Sequence, residues 1–465
     1  MRHFLAFDLG ASSGRAIVGH YENGKLELEE VHRFPNGGIH KDGHFRWDII
    51  SLKKELQEGL DKAVEKYDLD GVGIDTWGVD YVLFDRETGR LQELPMHYRD
   101  SRTDDIPSKM SSIISFEELY ARTGIQQMNF NTVYQLYAHK LDNPGLLEKS
   151  FMLPMPDALG YLLGGEASAE YTMASTGALL NPATCEWDFE LIDRLGLPRE
   201  LFPKLVQPAT RAGFLTASNG QKIPLIKICA HDTASAVAAI PAVSDSEFAY
   251  LSCGTWALLG AELSSPCISN ETREASYTNE GGINHTIRFL TNIMGCWLLQ
   301  ECRRQWKEEG TALSYPEMIE LAKSVPSGQF WIDPCSNAFM APDCMPERIQ
   351  KAATRPDGKR PESKAEILRC VYDSLSKCIA DKLKQLEELR GVKYDKLYVV
   401  GGGTQDALLM NEISKACGIP VLAGPIEATA IGNLMVQMLH FGELASIKAG
   451  RQMIVDCFAP IEYRG

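Results

Sequence analysis

The chain opens with an apolar run, Phe4-Leu5-Ala6-Phe7, interrupted by one carboxylate, Asp8, and closed by Leu9 and Gly10. Small residues come next, Ala11-Ser12-Ser13-Gly14, and then a second run, Arg15-Ala16-Ile17-Val18-Gly19. Two such runs joined by a small-residue turn predict a β-hairpin, with residues 27–34 as a third strand. Over residues 47–66 the spacing changes. Ile49, Leu52, Leu56, Leu60 and Val64 recur every three or four positions and predict an amphipathic helix. Residues 72–75 return to a strand pattern, and residues 81–85 read as a strand paired with the segment immediately after it. His40 and His44 sit among Gly37, Gly38 and Gly43 and read as a solvated loop rather than a metal site.

The second half of the chain repeats this order. Residues 249–260 run strand, Gly254-Thr255 turn, strand, with Gly254 in the place of Gly10. Residues 396–400, leading into Gly401-Gly402-Gly403, repeat the strand that ends near Asp75. Two copies predict two similar α/β domains, 1–241 and 242–465, with the seam in residues 241–247. Chance recurrence of hairpins in a large α/β protein would look the same. Residues 356–362 read as an exposed loop ahead of a long helix over residues 364–390.

A length of 465 residues fits two large domains or about three average ones. With 44% hydrophobic and 23% charged residues, disorder and whole-chain coiled coil are excluded. The formal charge of −15 argues against nucleic acid or an anionic membrane as the main partner. No apolar run approaches the roughly 18 residues of a membrane span, and the amino-terminal run is too short for a secretion signal. The expectation is a cytoplasmic protein, a monomer or weak homo-oligomer. Twelve cysteines without a C-x-x-C pair argue against zinc and a disulfide framework, and they read as small hydrophobes in a reducing compartment.

Three turns carry candidate chemistry. Gly10 to Arg15 exposes backbone N–H groups unobstructed by large side chains, and such nests bind phosphate oxygens. A hairpin turn with no ligand fits the same pattern. Asp8, in the middle of an apolar strand, needs a cation to offset its burial, and beside a phosphate nest Mg²⁺ is the natural one. Gly254-Thr255 is the matching turn, and Gly401-Gly402-Gly403 lets a flat ligand lie on the backbone. There is no G-x-x-x-x-G-K-S/T, and no G-x-G-x-x-G opens a helix after a strand, which disfavours P-loop and dinucleotide-binding enzymes. Asp232 in His231-Asp232-Thr233-Ala234-Ser235 is either a helix N-cap or a general base for a hydroxyl. Asn292 and Gln300 bracket an apolar run and are either satisfied core amides or ligand contacts.

Taken together, these runs resemble the FGGY carbohydrate kinases of the actin/hexokinase/Hsp70-like superfamily. The residues concerned are Asp8 to Arg15, Gly73-Ile74-Asp75-Thr76-Trp77-Gly78-Val79-Asp80, Tyr98-Arg99-Asp100-Ser101-Arg102-Thr103, His231 to Ala236, Gly254-Thr255-Trp256, Asn292 to Gln300 and Gly401 to Gly403. The likeness extends from residue 4 to about 433 in consistent order. It implies two ribonuclease-H-like (actin-like ATPase) α/β domains flanking an interdomain cleft where ATP and a sugar meet. It further implies that Ala11, Ser12, Ser13, Gly14, Arg15, Thr255, Gln300 and Gly402 contact ATP. Asp232 is the implied proton acceptor, with Gly78, His231, Thr233 and Asn292 on the sugar and Asp8 near Mg²⁺, through water. The runs at Asp75 and Tyr98 narrow the resemblance to the branch that phosphorylates the C1 hydroxyl of the ketose L-rhamnulose. Other family substrates (L-fuculose, a xylulose, a polyol) and a non-catalytic ATP- and sugar-binding sensor remain alternatives. Asp406 and Cys253 depart from the family pattern, where Asn and Ser are expected.

Overall fold

Every residue from Phe4 to Leu9 is buried, as expected of a strand covered on both faces. In the computed structural model, which describes residues 1–244 and 246–465, this strand, Arg2–Leu9, lies inside a six-stranded sheet. The sheet runs Thr210–Thr216, Lys222–Lys227, Gly71–Thr76, Arg2–Leu9, Ser13–Glu22, Lys25–Pro35. Asp245, within the expected seam, lies outside the described residues. A second, seven-stranded sheet runs Thr278–Gly281, Ile287–Ile293, Ala257–Leu263, Ala249–Cys253, Leu397–Val400, Val421–Ala423, Ile461–Tyr463.

The two sheets repeat one pairing sequence. Arg2–Leu9 is antiparallel to Ser13–Glu22 and parallel to Gly71–Thr76, which is parallel to Lys222–Lys227, itself antiparallel to Thr210–Thr216. Ala249–Cys253 is antiparallel to Ala257–Leu263 and parallel to Leu397–Val400, which is parallel to Val421–Ala423, itself antiparallel to Ile461–Tyr463. Both hairpin turns are closed by a glycine N–H but differ in length by one residue: Gly10 N–H donates to the Ser13 carbonyl at 2.9 Å, and Gly254 N–H to the Trp256 carbonyl at 2.8 Å.

The chain divides into two compact α/β units that are not continuous in sequence. The first comprises Met1–Ala239, Glu262–Phe289 and Ala428–Cys457, the second Ile240–Ala261, Leu290–Glu427 and Phe458–Gly465. The helix Ala428–His440 therefore returns to the first unit, where it lies directly on the helix Asp232–Ala238. A Cβ on Gly432 would stand 1.9 Å from the Ser235 carbonyl oxygen, so only glycine permits this crossing.

Several local expectations are met and others corrected. The helix runs Ile49–Lys66, with the Asp48 carboxylate accepting from Ser51 N–H at 3.0 Å, while Trp47 ends a strand instead of starting the helix. The long helix is Lys364–Arg390, with a Ser363/Glu366 capping box and Gly391 at φ 64° to end it. His40 and His44 are not in a loop: Gly38–Lys41 and His44–Trp47 form a hairpin. Its turn, Asp42-Gly43, has φ of 54° and 79°, the left-handed pair that an Asp-Gly two-residue turn supplies. The strand Tyr81–Asp85 does pair with the segment just after it, through an antiparallel bridge of Phe84 to Leu91, with Asp85 N–H donating to the Arg90 carbonyl at 2.8 Å and Gln92 N–H to the Leu83 carbonyl at 3.0 Å. It pairs in addition with the distant Ser150–Pro154. No helix among the described residues is long and apolar enough to cross a membrane.

Because the Gly432 contact is backbone against backbone, Gly432→Ala is expected to cost about 1–3 kcal/mol of stability, measured by denaturant unfolding.

Candidate active site

Register builds the site. The parallel pairing sets Asp8 beside Asp75, and the antiparallel pairing sets Arg15 beside Asp8. The Arg15 guanidinium donates to Asp8 Oδ2 at 2.6 Å. Thr76 N–H donates to the Ala230 carbonyl at 3.0 Å, which delivers His231 and Asp232 to the same strand ends. Asp75 is fully buried; its Oδ2 accepts from Asn433 Nδ2 at 2.6 Å, while Oδ1 has no hydrogen-bond partner among the described residues. Burial first, and the Asp8 charge second, push the Asp75 carboxyl well above the usual range, with Asp232 adding to the effect. Burial also raises Asp232; His231 opposes this and Asp8 reinforces it. Three carboxylates and one guanidinium thus share one electrostatic neighbourhood.

Asp232 is the first residue of its helix, and the N-cap position belongs to His231, whose side chain makes no cap bond. The N-cap reading of Asp232 is therefore corrected. Its Oδ1 accepts from Thr233 N–H at 2.5 Å and from the Thr233 hydroxyl at 3.1 Å. His231 is held from behind. Its Nδ1 lies 3.3 Å from Glu280 Oε2, and its Nε2 lies 3.4 Å from Asp232 Oδ1. Glu280 in turn pairs at 3.0 Å with the fully buried Arg288. These charges hold the Glu280 carboxyl below its ordinary range despite burial.

A second buried carboxylate, Glu170, accepts from Ala230 N–H at 3.1 Å, Thr172 N–H at 2.8 Å and Met173 N–H at 3.0 Å. It thereby ties the residue before His231 to the helix Tyr171–Ala174. Its donors are neutral, and burial pushes it up to about 7.

Gly78 faces the same histidine: a Cβ there would be 3.2 Å from His231 Nε2. The next residue, Val79, has φ of 68°, a costly conformation for a β-branched side chain. Val79 N–H donates to the Thr176 hydroxyl at 3.1 Å, and the Thr132 hydroxyl donates to the Val79 carbonyl at 2.6 Å, fixing that strained turn. Asp80 is buried among neutral donors: Trp47 Nε1 at 2.6 Å, Trp77 Nε1 at 2.9 Å and Gln135 Nε2 at 2.9 Å. Burial without a cation raises it to about 6. Gln135 also accepts from Arg102 at 3.0 Å, so the Asp75–Asp80 and Tyr98–Thr103 runs share one network.

In the Gly10 turn, Ala11, Ser12 and Ser13 are at least partly open, and a Cβ on Gly10 would meet only the Ser13 carbonyl at 3.6 Å. Gly14 is buried against the Phe34 ring, which leaves no room for a side chain. Asn36 braces the turn, donating from Nδ2 to the Gly10 carbonyl at 2.7 Å and from its N–H to the Ser12 carbonyl at 3.0 Å.

The remaining candidates belong to the second unit. The Thr255 hydroxyl and Gln300 Oε1 are 3.1 Å apart, because Trp297 N–H, at the start of the helix Trp297–Glu308, donates to the Thr255 carbonyl. Gly402 is exposed with open space where a Cβ would be, whereas Gly403 packs on Cys253 Sγ. Asn292 is half-buried near the end of Ile287–Ile293. Asp406 caps the helix Ala407–Cys417, accepting from Leu409 N–H at 3.0 Å and from the Tyr372 hydroxyl at 2.5 Å. This local role accounts for an aspartate at that position.

Two models of the FGGY family of carbohydrate kinases match the chain, the N-terminal domain at residues 3–239 and the C-terminal domain at 249–441. The chain belongs to this family. Among its relatives, the rhamnulokinase of Bacteroides thetaiotaomicron is 42% identical over 461 residues, covering 97% of this chain and 94% of the relative. The rhamnulokinase of Enterococcus faecalis is 43% identical over 466 residues, covering 98% and 93%. Solved structures share the fold at low identity. A ligand-bound xylulose kinase from Lactobacillus acidophilus superposes with TM-score 0.80 at 16% identity, covering 100% of this chain and 94% of that one. Plasmodium falciparum glycerol kinase with ADP gives 0.81 at 15%, with the same coverage.

For this FGGY kinase, Asp75, Asn433, Glu280, Arg288, Glu170 and Asn36 escaped the sequence reading as site residues. Asp75 and Arg288 do carry a signal, a charge inside an apolar run, like the one that marked Asp8. Glu280→Ala leaves the Arg288 cation buried without its partner and is expected to cost about 3–5 kcal/mol in a denaturant titration.

Proposed function

We propose that this FGGY kinase transfers the γ-phosphoryl group of ATP to the C1 hydroxyl of L-rhamnulose, giving L-rhamnulose 1-phosphate and ADP. The carrying observation is the convergence of Asp8, Asp75 and Asp232 with Arg15 beside the open Gly10 turn. The choice of sugar is supported by two near-full-length relatives named rhamnulokinase.

Asp232 accepts the proton of the attacking hydroxyl as oxygen bonds to phosphorus and the bond to the ADP oxygen breaks. An upward-shifted carboxyl is the stronger base for this task. Gly78, His231, Thr233 and Asn292 orient the sugar, with Glu280 and Arg288 fixing the imidazole. The N–H groups of residues 11–15 and the Arg15 guanidinium neutralise charge on the phosphates. Thr255, Gln300 and Gly402 contact the nucleotide in the second unit.

The oxygen donors of Asp8 and Asp75, one of them unpartnered and buried, fit a hard cation such as Mg²⁺. Bound there, directly or through water, Mg²⁺ supplies positive charge against the carboxylates and the phosphates. The use of ATP and the net charge of −15 are consistent with a cytoplasmic enzyme.

An ADP-release assay across L-rhamnulose, L-fuculose, D-xylulose and glycerol tests the assignment: L-rhamnulose is expected to give the highest kcat/KM. Preference for another sugar would reassign the substrate, and the absence of sugar-stimulated ADP release would remove the kinase reading. Asp232→Asn is expected to lower kcat by roughly 10²–10⁴ while ATP binding by calorimetry is nearly unchanged. Asp8→Ala should raise the Mg²⁺ concentration needed for half-maximal rate. Because the folded Asp232 carboxyl titrates above 3.8 and must be ionised, the acid limb of kcat/KM is expected above that pH, with activity lost as pH falls.

A further inference from the structure

The twelve cysteines are all free, and two pairs lie with their sulfurs close together. Cys253 and Cys296 are 4.0 Å apart, but Cys253 is buried beneath Gly403. Cys335 and Cys378 are 3.8 Å apart, with Cys335 exposed and Cys378 half-buried. This second pair is open to a reagent from solvent.

The approach of the two sulfurs is built by the chain around them. Gly328 N–H donates to Asp373 Oδ2 at 2.7 Å, and Ile332 N–H to the Ser374 hydroxyl at 3.0 Å. Both acceptors are on the helix Lys364–Arg390, and Cys378 lies one helical turn after Ser374 on the same face. Cys335 N–H donates to Asp333 Oδ1 at 2.9 Å, which shapes the turn that brings its sulfur back to that face. The segment before Cys335 is thus fastened to the helix beside its partner. The Cys378 thiol, the Met294 N–H and the Lys382 cation favour the Cys335 thiolate, against partial desolvation and Asp333, and bring the thiol down to about 7.

We propose that Cys335 and Cys378 form a thiol–disulfide exchange site that reacts with low-molecular-weight disulfides. The Cys335 thiolate attacks one sulfur of the disulfide RSSR, forming a mixed disulfide and releasing one RS⁻. Cys378, on losing its proton to solvent, attacks the Cys335 sulfur, forming the Cys335–Cys378 bond and releasing the second RS⁻. The two protein thiols are oxidised, and RSSR is reduced to two thiols. Met294 lies between Asn292 and Gln300, and Trp297 Nε1 donates to the Phe339 carbonyl at 3.0 Å. The cross-link therefore joins the segment that supports this part of the second unit to the long helix.

The reduced full-length protein is treated with glutathione disulfide, and its peptides are mapped by mass spectrometry without reduction. Wild type is expected to yield a linked Cys335–Cys378 peptide pair, no glutathione retained on Cys335, and return to the starting map with dithiothreitol. Cys378→Ser should stop with one glutathione on Cys335, and Cys335→Ser should leave Cys378 unmodified. Thermal unfolding of both variants checks that the surrounding helix is intact. A wild-type map without the linked pair, or with glutathione persisting on Cys335, would overturn the proposal.

Discussion

Asp8, Asp75 and Asp232 are like charges brought together where water is scarce, and much of the first unit serves to make that tolerable. Removing a carboxylate from water is costly unless hydrogen bonds or opposite charge replace the lost hydration. Arg15 supplies charge to Asp8, Asn433 supplies a hydrogen bond to Asp75, and His231 favours the ionised form of Asp232. These compensations come from separate stretches of chain. Their meeting depends on the parallel register of Arg2–Leu9 with Gly71–Thr76 and on the return of Ala428–His440 to this unit. The compensation stays incomplete, because one Asp75 oxygen has no partner among the described residues and its carboxyl is still raised. A site left short of positive charge is suited to a reaction that brings a cation with its phosphates.

Around this centre lies a layer of polar side chains whose work is to hold others. Glu170 fixes the backbone at Ala230, Glu280 and Arg288 fix His231, and Asp80 fixes two indoles and Gln135. Asp80 and Glu170 accept from neutral groups, so burial raises both carboxyls, to about 6 and about 7. In the Asp75–Asp80 and Tyr98–Thr103 runs, much of the motif belongs to this layer: Trp77, Asp80, Asp100 and Arg102 are spent on internal hydrogen bonds. Residues that mark a branch of the family can therefore act through the scaffold beneath a substrate.

Relatives near and far separate fold from chemistry in the same way. At 15–16% identity the solved kinases share the architecture, and the substrates in their names differ, xylulose in one and glycerol in another. The repeated order of antiparallel, parallel, parallel and antiparallel pairings is what such distant chains can retain, because it rests on backbone hydrogen bonds and apolar burial. At 42–43% identity the relatives share a name that specifies the sugar.

What the amino-acid order determined by itself was local. Periodicity marked the helix Ile49–Lys66 and the central strands, glycine and small residues marked the turns, and an isolated charge in an apolar strand marked Asp8. Such features arise from the geometry of a few consecutive residues, where side-chain spacing and backbone freedom suffice. The Asp42-Gly43 hairpin was also written locally, but the surrounding glycines and histidines obscured it. Tertiary structure alone decided that Tyr81–Asp85 pairs with Ser150–Pro154, that Asn433 meets Asp75, and that Glu280 and Arg288 stand behind His231. Those partners are far apart along the chain, and neither member carries a spacing that names the other. Sheet register and the close crossing at Gly432 select them, since only in the assembled unit do their unmet charges and hydrogen bonds face one another.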